Sequence, residues 1–190
     1  MPDDVFERYA GEYDHWFEEH REEYHAELAR IRRLLPHPDS RAIEVGAGSG
    51  RFADPLGITI GIEPSRALGQ MAHRRGIDII RGRAETIPLR NASCSSVLMV
   101  TVICFLDDPV RAFCELQRVL IPGGTLVIGF IEQDGQIARK YKSKEGKRRF
   151  LSRARFYSPD EIRSLLGKTG FRVDREDSRA GFGVIAARKD

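Results

Sequence analysis

Three alternating glycines, Gly46-Ala47-Gly48-Ser49-Gly50, follow directly on a short apolar run at residues 41–45. Glycine lets a backbone turn sharply and lets a ligand approach where a Cβ would collide. A strand that runs into such a loop is the ligand-binding corner of an open α/β sheet, where ligands sit beyond the carboxyl ends of the strands. The rest of the chain keeps that rhythm. Residues 4–34 carry aromatic and aliphatic side chains three or four apart (Phe6, Tyr9, Tyr13, Trp16, Phe17, then Tyr24, Leu28, Ile31), which predicts helices with a break at Gly11 and an end at Pro36.

Short apolar stretches at 58–62, 77–80, 96–103 and 125–130 read as strands. They alternate with a turn stopped at Pro55, a helix from Ser65, a helix capped by Asp107 or Asp108 with Pro109 in its first turn, and a helix capped by Ser158 and stopped by Gly170. The Asp-capped helix carries Val110, Phe113, Leu116, Val119 and Leu120 as its core stripe, and Pro122-Gly123-Gly124 turns it into the next strand. Stretches at 171–175 and 182–187 have no helix between them, so they form an antiparallel hairpin. The expectation is a doubly wound α/β fold with a parallel sheet covered on both faces.

Composition agrees. One hundred and ninety residues, 41% apolar and 31% charged, suit a single compact domain and exclude a disordered chain. No run approaches the ~20 apolar residues of a membrane span. The acidic start, Met1-Pro2-Asp3-Asp4, is unlike a signal peptide. Three dispersed cysteines (Cys94, Cys104, Cys114) make neither a disulfide scaffold nor a metal site, and a cytoplasmic location is expected. Charge is uneven: residues 1–30 hold ten acids against three arginines, whereas 139–155 hold nine bases against Glu145. A nucleic-acid surface is one reading of that basic run; a solvated face partly neutralised by the acidic N-terminus is the favoured one.

The loop spacing narrows the ligand. It is GxGxG, with Arg51 where a dinucleotide fingerprint needs its third glycine, and no GxxxxGK[ST] run exists. Glu63, ending the second strand in Gly61-Ile62-Glu63-Pro64-Ser65, can accept hydrogen bonds from the two vicinal hydroxyls of a ribose. The loop with Arg83-Ala84-Glu85-Thr86-Ile87-Pro88 lies toward a base, which Ala84 and Glu85 would contact.

These residues resemble a known family. Ile43-Glu44-Val45-Gly46-Ala47-Gly48-Ser49-Gly50 is similar to the first motif of class I S-adenosylmethionine-dependent methyltransferases, in the methyltransferase-11 (UbiE-like) subgroup. Glu63, Ala84-Glu85 with Ile87-Pro88, and the turn Arg118-Val119-Leu120-Ile121-Pro122-Gly123-Gly124 match further motifs, and Tyr9, Tyr13, Asp14 and Trp16 resemble the N-terminal segment that covers the cofactor. The likeness runs from about residue 5 to 187.

It implies strand order 3-2-1-4-5-7-6, S-adenosylmethionine as cofactor with S-adenosylhomocysteine as product, and a cofactor site of Tyr9, Tyr13, Glu44, Gly46, Ala47, Gly48, Gly50, Glu63, Pro64, Ala84, Glu85, Thr101 and Val102. One domain is expected, divided into a lid (1–35), a cofactor core (36–130), a basic substrate-side insertion (131–157) and a C-terminal helix with hairpin (158–190). Two departures, the short Pro55 segment and the basic insertion, leave the acceptor open. A small molecule, anionic on the strength of the basic run, is favoured over RNA or protein. A non-catalytic cofactor binder is the remaining alternative. No metal is called for, and no base is legible: His15 and Cys104 are the candidates, with His20, His25, His37 and His73 read as surface residues.

Overall fold

The computed structural model describes residues 3–142, 150–151 and 154–190, so most of the basic run at 139–155 lies outside the described residues. Seven strands among them form one sheet: β1 (Ala42–Val45), β2 (Ile60–Ile62), β3 (Asp78–Ile80), β4 (Cys94–Val100), β5 (Leu120–Ile131), β6 (Phe171–Arg179) and β7 (Phe182–Lys189). Their order is β3-β2-β1-β4-β5-β7-β6. The first five pair in parallel, and β7 runs antiparallel to both β5 and β6. The β6–β7 hairpin is the direct consequence of a connection too short for a crossover.

Eight helices cover the two faces among the described residues: α1 (Asp3–Arg8), α2 (Ala10–Glu19), α3 (Arg21–Leu34), α4 (Ala53–Leu56), α5 (Arg66–Arg74), α6 (Pro109–Val119), α7 (Gln136–Lys142) and α8 (Pro159–Lys168). On one face Ile31 and Leu34 of α3 and Ala72 of α5 pack with Leu98, Val127, Val184 and Ala186. On the other, Phe113 and Leu116 of α6 and Ile162 and Leu166 of α8 close over Met99, Leu126 and Ile128. β4 and β5 lie between both layers, which is why their sequence is nearly continuous in apolar residues. Among the described residues no helix is long and apolar enough to cross a membrane.

The local signals act largely as expected. Ser158 and Glu161 form a reciprocal capping box at α8, and Asp108 caps α6 with Pro109 in its first turn. Several boundaries differ. The N-terminal helices break at Tyr9 and His20, while Gly11 lies inside α2, where one glycine costs about 1 kcal/mol against alanine. The breaks fall where the chain must turn to lay aromatic faces on the core. Pro55 does not stop its turn. It lies in the first turn of α4, which needs no amide donor there, and Gly57 at φ +77° ends the helix. Val110 is exposed (53%), because the buried stripe of α6 is Ala112, Phe113, Leu116 and Val119, a helical face that Val110 precedes. β4 ends at Val100, three residues before the sequence suggests, for a reason that belongs to the site.

Candidate cofactor and acceptor site

The site is built where β1 and β4 end side by side. The amides of Gly46 and Ala47 both donate to the carbonyl of Ile62, at 2.8 and 3.1 Å, which folds the glycine loop back over the end of β2. Gly46 has φ +73°, and a Cβ there would come within 2.2 Å of Val102 Cγ2. Gly48 has φ +55°, and its Cβ would meet the Tyr13 ring and hydroxyl at 3.3 Å. Gly50 serves differently: it does not line the cavity, and a Cβ there would meet Ala72 of α5 at 3.2 Å.

Val102 reaches Gly46 because β4 stops abruptly. Thr101 takes φ +52°, a left-handed conformation that is an outlier for a β-branched residue. Its amide is still held by the Gly129 carbonyl at 2.8 Å, and the chain then winds into a short 3-10 turn, Ile103–Phe105. Strain of this kind persists only where surrounding contacts fix it, and it concentrates at functional sites.

Glu63 follows β2 and is 5% exposed. One carboxylate oxygen accepts from the Gly48 amide and the other from the Ser65 amide, each at 2.8 Å. Those two bonds fix the carboxylate at the rim of the glycine loop, where it lines the cavity. Glu85 is similarly buried (9%) and ties its loop to the start of α6 by accepting from the Asp107 amide at 3.0 Å. Glu44 lies beneath the loop at 2% exposure, and its Oε2 has no partner among the described residues. Burial drives its pKa well above the usual carboxylate range, and the nearby charge of Glu63 adds to that, against a hydrogen bond from the Ala53 amide.

A cavity of about 510 Å³ opens over these groups. Tyr13, Gly46, Gly48, Glu63, Pro64, Ala84, Glu85, Thr101 and Val102 line it, so nine of the thirteen expected site residues come together. Tyr9, at the junction of α1 and α2, does not line it, nor do Glu44, Ala47 and Gly50. His15 lies on the outer face of α2, two-thirds exposed and 3.6 Å from Glu19, because the inward stripe is Tyr13, Trp16 and Phe17. Cys104 is buried, donates to the Thr101 carbonyl at 3.2 Å, and has its thiol pushed up to about 12 by burial, so it is no thiolate nucleophile. His20, read as a surface residue, is half-buried and stacks on Trp16 at 4.5 Å.

The roof is α1 and α2. Phe6 meets Tyr13, Phe105 and Phe150 at ring separations of 5.1–5.6 Å. Burial, then the charges of Glu63 and Glu44, raise the Tyr13 phenol, so it stays a neutral hydrogen-bonding group. Polar contacts hold this roof down. Arg51 forks onto both oxygens of Asp14 at 2.8 and 2.7 Å, and Arg75 joins at 2.9 Å. Glu7 accepts from the Ser65 hydroxyl and the Ala67 amide at the N-terminus of α5.

The two features of this pocket that bear on an adenosyl ligand are the buried Glu63 carboxylate on its wall and the bare backbone at Gly46 and Gly48. They suit a ribose diol and a close adenosyl approach. A methyltransferase domain model (Methyltransf_11) matches residues 43–128, the segment that builds this floor. The crystal structure of a Thermotoga maritima protein, described as an S-adenosylmethionine-dependent methyltransferase and possible histamine N-methyltransferase, is 37% identical over 100% of both chains with a TM-score of 0.91.

This chain belongs to the S-adenosylmethionine-dependent methyltransferases. S-Adenosylmethionine is accordingly its cofactor. An uncharacterised protein of Methanocaldococcus jannaschii is 33% identical, covering 94% of this chain and 93% of its own. A Mycobacterium tuberculosis protein, also uncharacterised, is 37% identical over 87% of this chain but only 59% of its own length.

Sequence reasoning missed several residues that make the methyltransferase's site. Asp14 reads as part of the cofactor-covering segment, yet its carboxylate is turned to Arg51 and Arg75, and the acids of the N-terminus are matched by these arginines of the core. Burial is outweighed by the two guanidiniums, and Asp14 is held well below the usual carboxylate range. A signal was present: Asp14 and Glu18 are four apart on one helix face, and Arg51 directly follows the glycine loop. Glu23, Glu27 and Gln136, also on the cavity wall, carry no such signal.

Proposed function

We propose that this methyltransferase transfers the methyl group to a small-molecule acceptor bound beside the cofactor under the α1–α2 roof, largely by holding the two in line. The observation that carries this reading is the cavity: it extends past Thr101 and Val102 to Ile131, Gln136, Ile137 and Ala180, beyond anything the cofactor motifs require, yet stays beneath an aromatic cover. Its volume lies within the roughly 300–1,000 Å³ usual for small-ligand sites.

Within it, Glu63 would hold the ribose hydroxyls, with Pro64 beside it; Gly46 and Gly48 would admit the adenosyl thioether; and Ala84 and Glu85 would meet the adenine. Thr101 and Val102 would border the reacting centre. Tyr13 would contact the cofactor from above. Glu44, Ala47, Gly50 and Tyr9 would support that shell without touching the ligand. When bound, S-adenosylmethionine supplies an electrophilic methyl on a sulfonium whose charge disperses in the displacement. The chain's part is to align the acceptor and exclude water, which Phe6, Tyr13, Phe105 and Phe150 are positioned to do. Among the described residues no histidine or cysteine lines the cavity. The division into lid, core, substrate-side insertion and C-terminal hairpin fits this reading: Phe6, Tyr13, Trp16 and Phe17 of the lid segment line the cavity, and so do Ile131, Gln136, Ile137 and Lys140 of the insertion.

The expectation of an anionic acceptor drew on residues 139–155. Of the bases there with described side chains, Lys140 alone lines the cavity. Incubation with methyl-labelled cofactor and metabolite extracts tests the reading. Label is expected in a low-mass product. Label appearing only in RNA or protein overturns it.

A further inference from the structure

The far end of the cavity has a chemistry of its own. Glu23 and Glu27, one turn apart on α3, both line it, Glu23 exposed and Glu27 partly buried deeper in. Trp16, Phe17, Ile131 and Ile137 line the same cavity. Among the described residues, no hydrogen bond or ion pair reaches the Glu27 carboxylate. Arg30, on the same helix, turns its two terminal nitrogens elsewhere: they donate to the carbonyls of Asp177, Arg179 and Phe182 and to the Asp177 carboxylate, bracing α3 against the hairpin, while its buried Nε has no partner among the described residues. Trp16 adds a second polar group in want of a partner, since its indole N–H is buried with no acceptor among the described residues.

A carboxyl group in apolar surroundings either takes up a proton or finds a cation. Glu27 shows that strain, its pKa raised to about 8 by burial and by the charge of Glu23, with Arg30 opposing. The other charged groups nearby are Lys140, across the cavity on α7, and Asp177 and Arg179 of the hairpin, which belong to the Arg30 cluster.

We propose that Glu27, with Glu23, selects the methyl acceptor: a small organic cation with a compact aromatic or apolar body, whose ammonium donates to Glu27 while a different atom of the molecule, one with a lone pair, attacks the methyl group and releases any proton it carries to solvent. The proposal rests on the small-molecule reading above and deepens it. The aromatic neighbours favour the same ligand, because Trp and Phe faces attract cations. Glu27 is thereby a specificity-determining residue.

The test is calorimetric titration of the protein saturated with S-adenosylhomocysteine, using histamine, phenethylamine and 3-phenylpropanoate. The amines are expected to bind about tenfold or more tightly than the carboxylate, as one charge-assisted hydrogen bond in a half-buried site would give. Glu27→Gln should remove that preference while S-adenosylhomocysteine binds as before, with Glu23→Gln having a smaller effect. If an amine is methylated, Glu27→Gln should raise KM and leave kcat nearly unchanged. Equal binding of the carboxylate by the wild-type protein, no amine binding, or amine affinity unaltered in Glu27→Gln each overturns the proposal. Failure of the small-molecule reading shows separately, as label transferred only to macromolecules.

Discussion

Glu63 illustrates how much one side chain can settle. Its two oxygens fix the Gly48 and Ser65 amides, so the same carboxylate shapes the loop and meets the ligand. Glutamine in its place turns an NH2 toward one of those amides and leaves a buried donor facing a donor. Glu63→Gln is therefore expected to weaken S-adenosylhomocysteine binding about 10- to 100-fold, the cost of one or two charge-assisted hydrogen bonds. Titration of a 2′,3′-dideoxy analogue separates the two roles. The analogue should bind weakly to the wild-type protein and lose little more in the variant. An equal loss for both ligands would mean that Glu63 only braces the loop. Thr101 makes the opposite case, a residue whose backbone works against stability. Relief of its φ +52° strain in Thr101→Gly, less the added chain entropy, should raise stability by about 1 kcal/mol in urea melts. The same change should weaken cofactor binding, because Val102 is no longer held over Gly46.

At the scale of elements the question is what keeps two short helices on top of the sheet. α1 and α2 are 6 and 10 residues long, too short to be stable alone, so their order comes from docking. The aromatic cluster supplies area, and the Asp14–Arg51–Arg75 knot fixes position. Replacing Asp14 by alanine leaves two guanidiniums without their common partner. Because both are partly exposed, the cost should fall below that of a fully buried pair, at about 2–3 kcal/mol. Hydrogen exchange should then quicken across α1 and α2 while α6 and β4 keep their protection; uniform quickening would make the knot part of the global core. The strand–helix alternation, the closing hairpin, the glycine loop and the place of Glu63 were legible in the sequence because each depends on local chain chemistry, a period, a turn or a strand end, whereas the sheet order came only with the family resemblance. The knot was not, because Asp14 and Arg51 are 37 positions apart and helix periodicity cannot tell whether an inward acid faces a ligand or an arginine. Glu27 was hidden for the same reason, its meaning fixed by a cavity wall that α7 and the hairpin complete.

For the molecule as a whole, these carboxyl groups set how stability responds to pH. Asp14 and Asp177 are depressed by their arginines, so what they contribute is complete above the ordinary value of 3.8 and is lost only as pH falls below it. Glu27 and Glu44 act in the other direction. Their folded forms hold protons more tightly than the unfolded chain does, so their contribution is complete below the ordinary value of 4.5 and declines as pH rises, for Glu27 until about 8. The two pairs together place maximum stability on the acid side, at about pH 4, with a fall toward pH 8 of at most about 1.4 kcal/mol per pH unit for each proton by which the states differ. Urea midpoints at pH 5, 7 and 9 measure this directly. Glu27→Gln should lose less stability than the wild-type protein between pH 5 and pH 9, and the slope that survives in the variant below about pH 8 belongs to Glu44, with the raised thiols of Cys94 and Cys104 adding to it near pH 9. A wild-type midpoint that rises from pH 5 to pH 9 would mean that Glu27 is ionised and well solvated in the folded chain, removing the electrostatic strain that an ammonium ligand would relieve.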